Sequence, residues 1–544
     1  MSSGSARSYD VIIIGSGAGG GTLAYALAST PARILLIERG DFVPQEAENW
    51  SPEAVWRQLR YRTRERWLDG AGEEFQPYAH YSVGGNTKFW GSVLYRLRRE
   101  DFGELQHVDG ISPAWPITYE TLAPYYDRAE RLYEVHGDAS HDPTEPPRGP
   151  FPFPAVPHAP RMSEMVEQMR GFGLHPSSLP LGIRDGCVLC RTCNSFACRL
   201  HAKSEADVCC VRPAVQHETV TLWRNTYARR LLTDDRGGRV TGVEVERDGA
   251  RFDVHAPLVI VSCGAVNSAA LLLRSASSRH PHGLANSSDL VGRHYMAHLA
   301  TMLQGVSWRR NDDNFQKTVA INDFYLRGPD SPFPLGQIQS QGRTDARMAK
   351  GVGDTWRYKA LEMRHIPLRA YEEWVSRAND WLVMSEDLPR PENRVTLTPD
   401  GRIQLAYRPT NVAAHRQLVT VLRQTLGRLG YWSPAVFAHA TGVHNTTHQC
   451  GTLRFGTDPR TSVLDPFCRT HDVDNLYVVD ASFFPSSAAV NPALTIIAQA
   501  LRVADHIAET HFGSRLEAPA VRTDASSDRL LVVGRRSPEG RHDS

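Results

Sequence analysis

The sequence predicts an α/β fold in which one parallel sheet is assembled from separated stretches of the chain and an α+β part is inserted between them. The first observation is a complete β-α-β unit, with buried apolar strands at Val11–Ile14 and Ile34–Ile37. The second is a pair of similar strands far along the chain, Leu258–Ser262 and Leu476–Val479, each with an apolar helix after it. The third is the less regular pattern between these units, which is typical of an inserted domain.

Length, composition and charge exclude several classes of protein. A chain of 544 residues allows two to four domains at about 100–200 residues each. It is 41% hydrophobic and 22% charged, as soluble globular proteins are. Lys and Arg number 61 and Asp and Glu 60, a formal net charge of +1, so we expect no nucleic-acid partner. No apolar run reaches about 18 residues, and Met1–Tyr9 lacks the apolar core of a secretory signal, so we expect no membrane span and a cytoplasmic location.

A glycine-rich turn joins the first strand to the first helix. In Gly15-Ser-Gly-Ala-Gly-Gly20, the first glycine suits a tight turn, the second lets the backbone approach a pyrophosphate, and the third allows close packing of helix on strand. The helix N-terminus adds free N–H groups and a partial positive charge. Glu38 ends the second strand, where a carboxylate can bind ribose hydroxyls and disfavours a 2′-phosphate. The pattern predicts a site for an adenine dinucleotide such as FAD or NAD; the alternative is a turn without a ligand.

Further elements follow from periodicity. A helix is predicted where apolar residues recur at steps of three and four, at Leu122, Tyr125, Tyr126, Ala129 and Leu132. Alternating segments at Thr219–Trp223, Ala228–Thr233 and Arg239–Glu246 predict an antiparallel meander. Short strands are expected at Arg394–Leu397 and Ile403–Tyr407, with a helix over 412–430.

The order of these elements predicts two discontinuous domains. Strands of the nucleotide-binding type lie near both ends of the chain, and the region between them is less regular. We therefore expect a dinucleotide-binding domain from 1–110, 186–299 and 441–511, a substrate-binding domain from 111–185 and 300–440, and a disordered tail at 512–544.

Five stretches, in order along the chain, carry a resemblance to a known family. They are the opening strand with its glycine-rich turn, Tyr81-Ser-Val-Gly-Gly-Asn-Thr-Lys-Phe-Trp-Gly91, Trp115-Pro-Ile-Thr-Tyr119, Gly264-Ala-Val-Asn-Ser268 with the helix after it, and a C-terminal block of His448–Thr452, Val478–Ser482 and Asn491–Thr495. Through them the chain resembles the glucose–methanol–choline oxidoreductases, FAD-dependent enzymes that oxidise alcohols and sugars. The resemblance runs from Tyr9 to about His511, and it departs from a family signature at Ala269 and Ala276.

This resemblance implies a Rossmann-like FAD-binding domain with an inserted α+β substrate domain built on an antiparallel sheet. It also implies which residues contact FAD: Gly15, Ser16, Gly17, Ala18, Gly20, Glu38, Gly84, Gly85, Asn86, Trp90, Ala228, Asp480, Ala481 and Pro492. For Asp480, a helix N-cap is an alternative role, and both roles can hold together.

The C-terminal block carries the catalytic prediction. Oxidation of an alcohol by a flavin moves a hydride to flavin N5 and also removes the hydroxyl proton, a task that suits a histidine. His448 stands at the family position of the catalytic base, and Asn491 stands at the partner position. Asn can donate and accept at once, so it can orient the substrate hydroxyl. The resemblance thus implies His448 as base, Asn491 as partner and FAD as hydride acceptor.

The mode of FAD attachment follows from one position in the flavin-facing loop. Pyranose oxidases link FAD covalently through a histidine in this loop, and alignment of Gly84-Gly85 and Trp90 puts Phe89 there. A phenylalanine cannot form that bond. The resemblance therefore implies non-covalent FAD.

A cluster of cysteines has two interpretations. Cys187, Cys190, Cys193 and Cys198 follow the spacing Cys-x2-Cys-x2-Cys-x4-Cys, whereas the ferredoxin run is Cys-x2-Cys-x2-Cys-x3-Cys-Pro. One interpretation is a cysteine-rich loop packed on the FAD domain, with or without a local disulfide; the other is bound iron or zinc. We assign no metal ligand on spacing alone, and both interpretations stay open.

The predicted reaction is oxidation of a secondary alcohol of a sugar or glycoside to a ketone, with oxygen or a quinone-type compound as electron acceptor. The sequence of the flavin-facing loop and the pair His448 and Asn491 are most similar to those of pyranose oxidases and bacterial glycoside 3-oxidases. A sterol or aliphatic alcohol oxidase is one alternative, although residues 308–330 are polar for an apolar cavity. A lyase or binding protein that keeps FAD without redox chemistry is the other.

Overall fold

The computed structural model describes residues 8–191, 193–347, 366–432, 436–440, 442–443 and 445–516. The predicted disordered tail at 512–544 lies, from residue 517 onward, outside the described residues.

The strands and helices alternate irregularly along the chain. The strands are β1 (Val11–Ile14), β2 (Ile34–Ile37), β3 (Trp67–Asp69), β4 (Glu74–Phe75), β5 (Leu105–His107), β6 (Gly110–Ser112), β7 (Val135–Gly137), β8 (Phe153–Pro154), β9 (Pro176–Ser178), β10 (Leu181–Gly182), β11 (Val220–Trp223), β12 (Thr226–Thr233), β13 (Val240–Arg247), β14 (Ala250–His255), β15 (Leu258–Val261), β16 (Leu299–Val306), β17 (Val319–Ile321), β18 (Gln337–Ser340), β19 (Ala378–Ser385), β20 (Arg394–Leu397), β21 (Ile403–Ala406), β22 (Val436–Ala440) and β23 (Leu476–Val478). The α-helices are α1 (Ala18–Leu27), α2 (Tyr119–Leu132), α3 (Pro160–Gly171), α4 (Arg212–Ala214), α5 (Ala265–Arg274), α6 (Leu368–Val375), α7 (Val412–Arg428) and α8 (Ala493–Phe512). Single helical turns span Ala47–Trp50, Glu53–Arg57, Gly85–Lys88, Arg99–Phe102, Asp207–Val211 and Ala481–Phe483.

A parallel sheet forms the base of the molecule. Its strand order is β11-β2-β1-β15-β23, and every neighbouring pair is parallel. Strands β1, β2, β15 and β23 are apolar and fully buried, because helices and other segments cover both faces of a parallel sheet. Helix α8 packs against both α1 and α2. The predicted α/β fold with separated contributions to one sheet is therefore confirmed.

One strand lies in a different sheet from the one predicted. The segment predicted as the first strand of an antiparallel meander, Thr219–Trp223, instead forms β11 at the edge of the parallel sheet, with Val220 opposite Ile34. Asn225 has a φ of 51° and turns the chain away from that sheet, so the meander begins with the next strand. It consists of β12, β13 and β14. A short alternating segment is compatible with either sheet, and only the long-range pairing with β2 decides.

A second, six-stranded sheet has the order β22-β16-β19-β18-β17-β9, and all its neighbouring pairs are antiparallel. Helix α7 packs on β16 and β19. An apolar core of its own lies between this sheet and helices α3 and α7, including Met162, Trp381, Leu418 and Leu422. The predicted antiparallel sheet of the substrate part is thus present.

The predicted strands Arg394–Leu397 and Ile403–Tyr407 form β20 and β21, which join β3 and β4 in a separate four-stranded sheet. Gln404 lies opposite Leu68 in that sheet. One sheet therefore contains strands from 1–110, predicted for the dinucleotide-binding domain, and from 300–440, predicted for the substrate-binding domain. The limits given above for the two domains stay a prediction.

Close packing of α1 on the parallel sheet requires a glycine. A Cβ atom added at Gly19 would collide with the backbone carbonyl oxygen of Val479, which cannot move without displacing the chain after β23. A Cβ atom added at Gly17, two residues earlier, would meet nothing within 4 Å. The two positions thus offer a matched pair of substitutions in one turn.

We predict that Gly19→Ala destabilises the protein and that Gly17→Ala does not. Overpacking costs about 1–3 kcal/mol and more where backbone has to shift, so Gly19→Ala should lower the free energy of unfolding by at least about 2 kcal/mol. The measurement is denaturant unfolding of both variants and wild type, each freed of bound dinucleotide, because Gly17 lies where a pyrophosphate would approach and a bound ligand adds to stability. Equal stability of the two variants would contradict this packing.

Candidate active site

A cavity of about 790 Å³ lies at the carboxyl ends of the parallel strands. Residues that follow four of those strands line it: Gly15 after β1, Glu38 after β2, Ser262 after β15 and Asp480 after β23. The six-stranded sheet contributes further lining residues, which are Ala300, Met302, Gln339, Leu382 and Met384. Ligands of open parallel sheets bind at the carboxyl ends of the strands, so the cavity lies where this fold predicts one.

Most of the residues predicted from the sequence line this one cavity. They are Gly15, Ser16, Gly17, Ala18, Glu38, Gly85, Asn86, Trp90, Ala228, His448, Asp480, Ala481, Asn491 and Pro492. Gly20 and Gly84 are not among its lining residues. Gly20 packs against the Gly15 carbonyl, and Gly84 packs against Asp207 while its N–H donates to Ser16 Oγ at 3.1 Å.

The glycine-rich turn presents bare backbone to the cavity. Gly15 has a φ of 99°, a left-handed conformation that side chains disfavour. Gly17 is the N-cap of α1, and no side chain caps that helix. The first N–H groups of the helix therefore lack side-chain acceptors, and the open space at Gly17 lets a ligand approach them. This arrangement suits a pyrophosphate.

The carboxylate of Glu38 is held by the same turn. Its Oε2 accepts hydrogen bonds from Ser16 N at 3.1 Å and Ser16 Oγ at 2.7 Å, and its Oε1 accepts from Gly40 N at 3.2 Å. Burial raises the pKa of the Glu38 carboxyl. A carboxylate fixed at the end of β2 is the group that binds ribose hydroxyls in dinucleotide sites.

A second glycine-rich loop lies against the first. A Cβ atom at Gly85, whose φ is 56°, would come within 3.1 Å of Gly17 Cα, so the two loops approach through their glycines. Phe89 lines the cavity and stacks on His80 with ring centroids 3.9 Å apart. The indole N–H of Trp90 is buried without a partner among the described residues. The size of the cavity, the open space at Gly17 and the unpaired indole N–H of Trp90 together fit a flavin dinucleotide.

Two histidines lie in hydrogen-bond contact at the other end of the cavity. His448 Nδ1 lies 2.9 Å from His298 Nδ1, and the rings meet edge to face. His298 Nε2 lies 3.0 Å from the backbone carbonyl oxygen of Ser487. A carbonyl only accepts, so His298 donates through Nε2–H, and in its neutral form its Nδ1 accepts from His448 Nδ1–H. His448 Nε2 is then left unprotonated.

Burial keeps both rings neutral. It lowers the pKa of His448 to about 3, with smaller contributions from the nearby cationic forms of His298 and Lys317. Burial also lowers the pKa of His298. The proton positions inferred for His298 and His448 require both rings to be neutral near pH 7. A neutral His448 can then accept a proton at Nε2.

The backbone around His448 is fixed from two sides. His448 itself has a φ of 54°. Cys450 pairs with Met296, two residues before His298, through N–O distances of 2.9 and 3.0 Å. The next residue, Gly451, donates to the Ala481 carbonyl at 3.1 Å, beyond the end of β23. The segment that carries His448 is thus held between the start of β16 and the end of β23.

Asn491 and Asp480 use their polar atoms differently. The side-chain oxygen of Asn491 is buried without a hydrogen-bond partner among the described residues, and the residue lines the cavity. Asp480 accepts from Ser482 N at 2.9 Å as N-cap of the turn Ala481–Phe483, and also from Gly264 N at 3.0 Å. The cap role of Asp480 is therefore confirmed, and burial raises the pKa of its carboxyl.

Sequence reasoning missed several lining residues. His298, Gln339 and Gln341 line the cavity, but no motif marks them, because they reach it through the long-range pairing of the six-stranded sheet. Lys317 also lines it, whereas Gln316 is buried elsewhere, where its Oε1 accepts hydrogen bonds from two asparagines. Only the fold shows that the side chain of Lys317 reaches the cavity and that of Gln316 does not.

The cysteine cluster lies close to the cavity without forming a disulfide. Cys187, Cys190, Cys193 and Cys198 are free thiols, and a hydrogen bond to Cys190, together with burial, raises the pKa of Cys193. Among the described residues, which leave out residue 192, no group of three or more His, Cys, Asp or Glu side chains has the geometry of a metal site. In the part of the chain that the structure describes, no helix is both long and apolar enough to cross a bilayer.

Comparison with solved structures gives the fold class. Pyridoxine 4-oxidase from Mesorbium loti superposes with a TM-score of 0.66 at 20% sequence identity, over 92% of this chain and 100% of that chain. A formate oxidase of Aspergillus oryzae RIB40, solved in a study of FAD modification, superposes with a TM-score of 0.64 at 16% identity, over 93% of this chain and 99% of that chain. These likenesses show the fold.

Comparison with protein families and curated relatives gives the family. Two models described as GMC oxidoreductase match residues 9–300 and 389–500. The 6‴-hydroxyparomomycin C oxidase of Streptomyces lividus is 33% identical over 92% of this chain and 92% of its own length, and the paromamine 6′-oxidase of Streptomyces fradiae is 31% identical with the same coverages. The fructose dehydrogenase large subunit of Gluconobacter japonicus is 27% identical over 92% of this chain and 98% of its own length. The chain belongs to the GMC oxidoreductase family, whose members are FAD-dependent enzymes that oxidise alcohol groups.

Proposed function

We propose that this protein oxidises a secondary alcohol of a sugar or glycoside to a ketone, with non-covalently bound FAD. The observation that carries the proposal is the contact of the buried His448 Nδ1 with His298 Nδ1, 2.9 Å away, in the same cavity as the dinucleotide turn. From this contact we infer that Nε2 of His448 is unprotonated. The relatives named for paromamine, hydroxyparomomycin and fructose act on sugar-like compounds, which supports this substrate class. The likeness to pyranose oxidases and glycoside 3-oxidases stays a prediction.

FAD would be held along the two glycine-rich loops and the strand ends. The turn 15–20 and the N-terminus of α1 would bind the pyrophosphate, and Glu38 would bind ribose hydroxyls. Gly85, Asn86 and Trp90 would lie along the flavin ring, with Ala228, Asp480, Ala481 and Pro492 completing the site. When bound, FAD supplies the hydride acceptor, and we propose oxygen or a quinone-type compound as the final electron acceptor.

His448 and Asn491 would handle the substrate hydroxyl. His448 accepts the hydroxyl proton at Nε2, because its Nδ1–H is occupied by His298. Asn491 offers an unpaired side-chain oxygen and an amide N–H₂, so it can accept from the hydroxyl and donate to it. The base and the partner thus have separate tasks, proton removal and orientation.

His298 would act as a positioning residue. Its Nε2–H is fixed by Ser487, so its Nδ1 can only accept, and this fixes the tautomer of His448. Without His298, His448 Nδ1 loses its acceptor and the ring loses a contact that orients it. A small change of orientation at a reacting group can cost about 100-fold in rate.

A polar substrate fits the cavity better than a sterol or an aliphatic alcohol. The six-stranded sheet and the segments beside it contribute Lys317, Gln339 and Gln341 to the lining. An apolar ligand would leave the buried side-chain oxygen of Gln339, which has no partner among the described residues, unsatisfied. A non-redox member of the family remains as the second class, and reduction of the bound flavin distinguishes it.

We predict that His448→Ala abolishes flavin reduction without releasing FAD. Wild-type holoenzyme, mixed anaerobically with a panel of sugars and glycosides, should lose its flavin absorption. The His448→Ala variant should be slower by about 100-fold or more, because general base catalysis contributes 10²–10⁴-fold. No reduction of the wild type by any alcohol in the panel would favour the non-redox class.

We predict that His298→Phe and His298→Asn differ. Phenylalanine keeps the ring shape but removes both nitrogens, whereas Asn keeps an acceptor near the Nδ1 position. His298→Phe should slow anaerobic flavin reduction by about 10- to 100-fold, and Asn should recover part of the rate.

The pH profile separates positioning from structural damage. In wild type, protonation of His448 should limit the rate only at pH values far below 6.5, since burial and the neighbouring cations lower its pKa to about 3. Loss of His298 removes one of the groups that lower this pKa, so the acid limb of His298→Phe should move to higher pH. An unchanged acid limb in this variant would argue against the positioning role.

We predict that FAD is released on denaturation. Phe89, buried at the position where pyranose oxidases attach FAD, cannot form a bond to the flavin. Acid or heat precipitation followed by filtration should leave the yellow cofactor in the supernatant. Flavin that stays with the precipitated chain would contradict non-covalent binding.

A further inference from the structure

The charged residues of the cavity are unevenly distributed. The carboxylates among its described lining residues are Glu38 and Asp480. Both follow strands of the parallel sheet, and both are engaged by protein donors, Ser16 and Gly40 on one and Ser268, Ser482 and Gly264 on the other. A positively charged substrate would therefore meet no available carboxylate among the described residues of the cavity.

Lys317 is a buried lysine next to the six-stranded sheet. Its side chain is 2% exposed, and it lines the cavity. The ammonium donates to the side-chain oxygens of Asn194 and Gln341, which are both neutral. No carboxylate forms an ion pair with it within the described ranges of the chain. In its protonated form, one of its three N–H groups therefore has no acceptor among the described residues and is available to a ligand.

The residues around Lys317 leave space for its ammonium group and hydrogen-bond to it. A Cβ atom added at Gly91, next to the flavin-facing loop, would collide with Lys317 Nζ. Asn194 also donates to Gln341 Oε1, so the two amides hold each other while both accept from the lysine. The lysine is therefore fixed in place, which distinguishes it from a surface lysine that has folded inward.

An unpaired ammonium in a buried site is costly, and an anion would offset the cost. Taking a charge out of water without a partner disfavours the charged form, and burial lowers the pKa of Lys317 to about 7. Its ammonium contacts Gln341, the residue that follows β18, which places it on the side of the six-stranded sheet and not at the glycine-rich turn. The missing anion thus belongs on the substrate side.

We propose that Lys317 binds a carboxylate of the substrate, so that the substrate is an acidic sugar, such as a uronic acid or its glycoside, and not an amino sugar. This inference rests on the proposed function, since it names the substrate class of that site. Arg191 and Arg343 line the same cavity; Arg343 donates to the Val375 carbonyl and Arg191 to the Asn314 side chain, so neither is neutralised by those contacts. Their positive charge favours the approach of an anion.

The test compares the methyl glycosides of glucose, glucuronic acid and glucosamine, in which the second and third each differ from the first in one group. Anaerobic flavin reduction of the holoenzyme is titrated with each of them. We expect half-saturation by the glucuronide at a concentration at least tenfold lower than by the glucoside, and the weakest response with glucosamine. In Lys317→Met the preference for glucuronide over glucoside should fall to about one, and Lys317→Arg should retain part of it.

A matched control removes the same charge outside the cavity. Arg310 is exposed and paired with Glu373 at 3.3 Å, and Arg310→Gln should leave the preference unchanged. A preference for glucosamine, or a glucuronide preference that survives in Lys317→Met, would overturn the inference. Release of FAD from Lys317→Met would also overturn it, because the lysine would then hold a phosphate of the cofactor.

Failure of the proposed function has a different signature. If no sugar reduces the flavin of the wild type, the proposed oxidation of a sugar or glycoside fails. In that case the glucuronide can still be titrated against the absorption spectrum of the bound flavin. A perturbation that depends on Lys317 would support the anion site, and its absence would overturn that site as well.

Discussion

The hydrogen bond between His298 and His448 connects the two sheets on which this active site is built. His298 directly precedes β16 of the six-stranded sheet, and His448 lies in a segment held against the residues that follow β23 of the parallel sheet. The Ser487 carbonyl sets the direction of the bond, since it can only accept from His298. Which nitrogen of His448 carries the proton, and how the ring is oriented in the cavity, both depend on this contact.

Burial gives that contact its chemical effect. In water a histidine titrates near pH 6.5, and half of its population would be unable to act as a base there. Inside the cavity burial keeps both imidazoles neutral. The same burial lowers the pKa of Lys317, which has no carboxylate partner among the described residues. A single physical factor therefore keeps His448 unprotonated and makes an anion beside Lys317 favourable. The parallel sheet supplies the dinucleotide side of this cavity, and the antiparallel sheet supplies the substrate side.

The sequence predicted what local patterns encode. Strands β1, β2, β15 and β23 follow from short apolar runs, and the turn at 15–20 follows from glycines whose roles are steric. His448 and Asn491 came from motifs of a resembling family, and both line the cavity. The prediction that Thr219–Trp223 belongs to the antiparallel meander was wrong, because the pairing of β11 with β2 joins residues that are far apart in the chain. His298 and Lys317 carry no motif, since each reaches the cavity only through the packing of the six-stranded sheet.

The tautomer of His448 is the central claim, and nitrogen NMR reads it directly. In protein labelled with ¹⁵N-histidine, comparison with His448→Gln identifies the signals of this ring. The structure predicts, near neutral pH, a protonated Nδ1 and an unprotonated Nε2. A ring protonated at Nε2, or at both nitrogens, would contradict the account, because His448 could then not accept the substrate proton at the atom that is free to receive it.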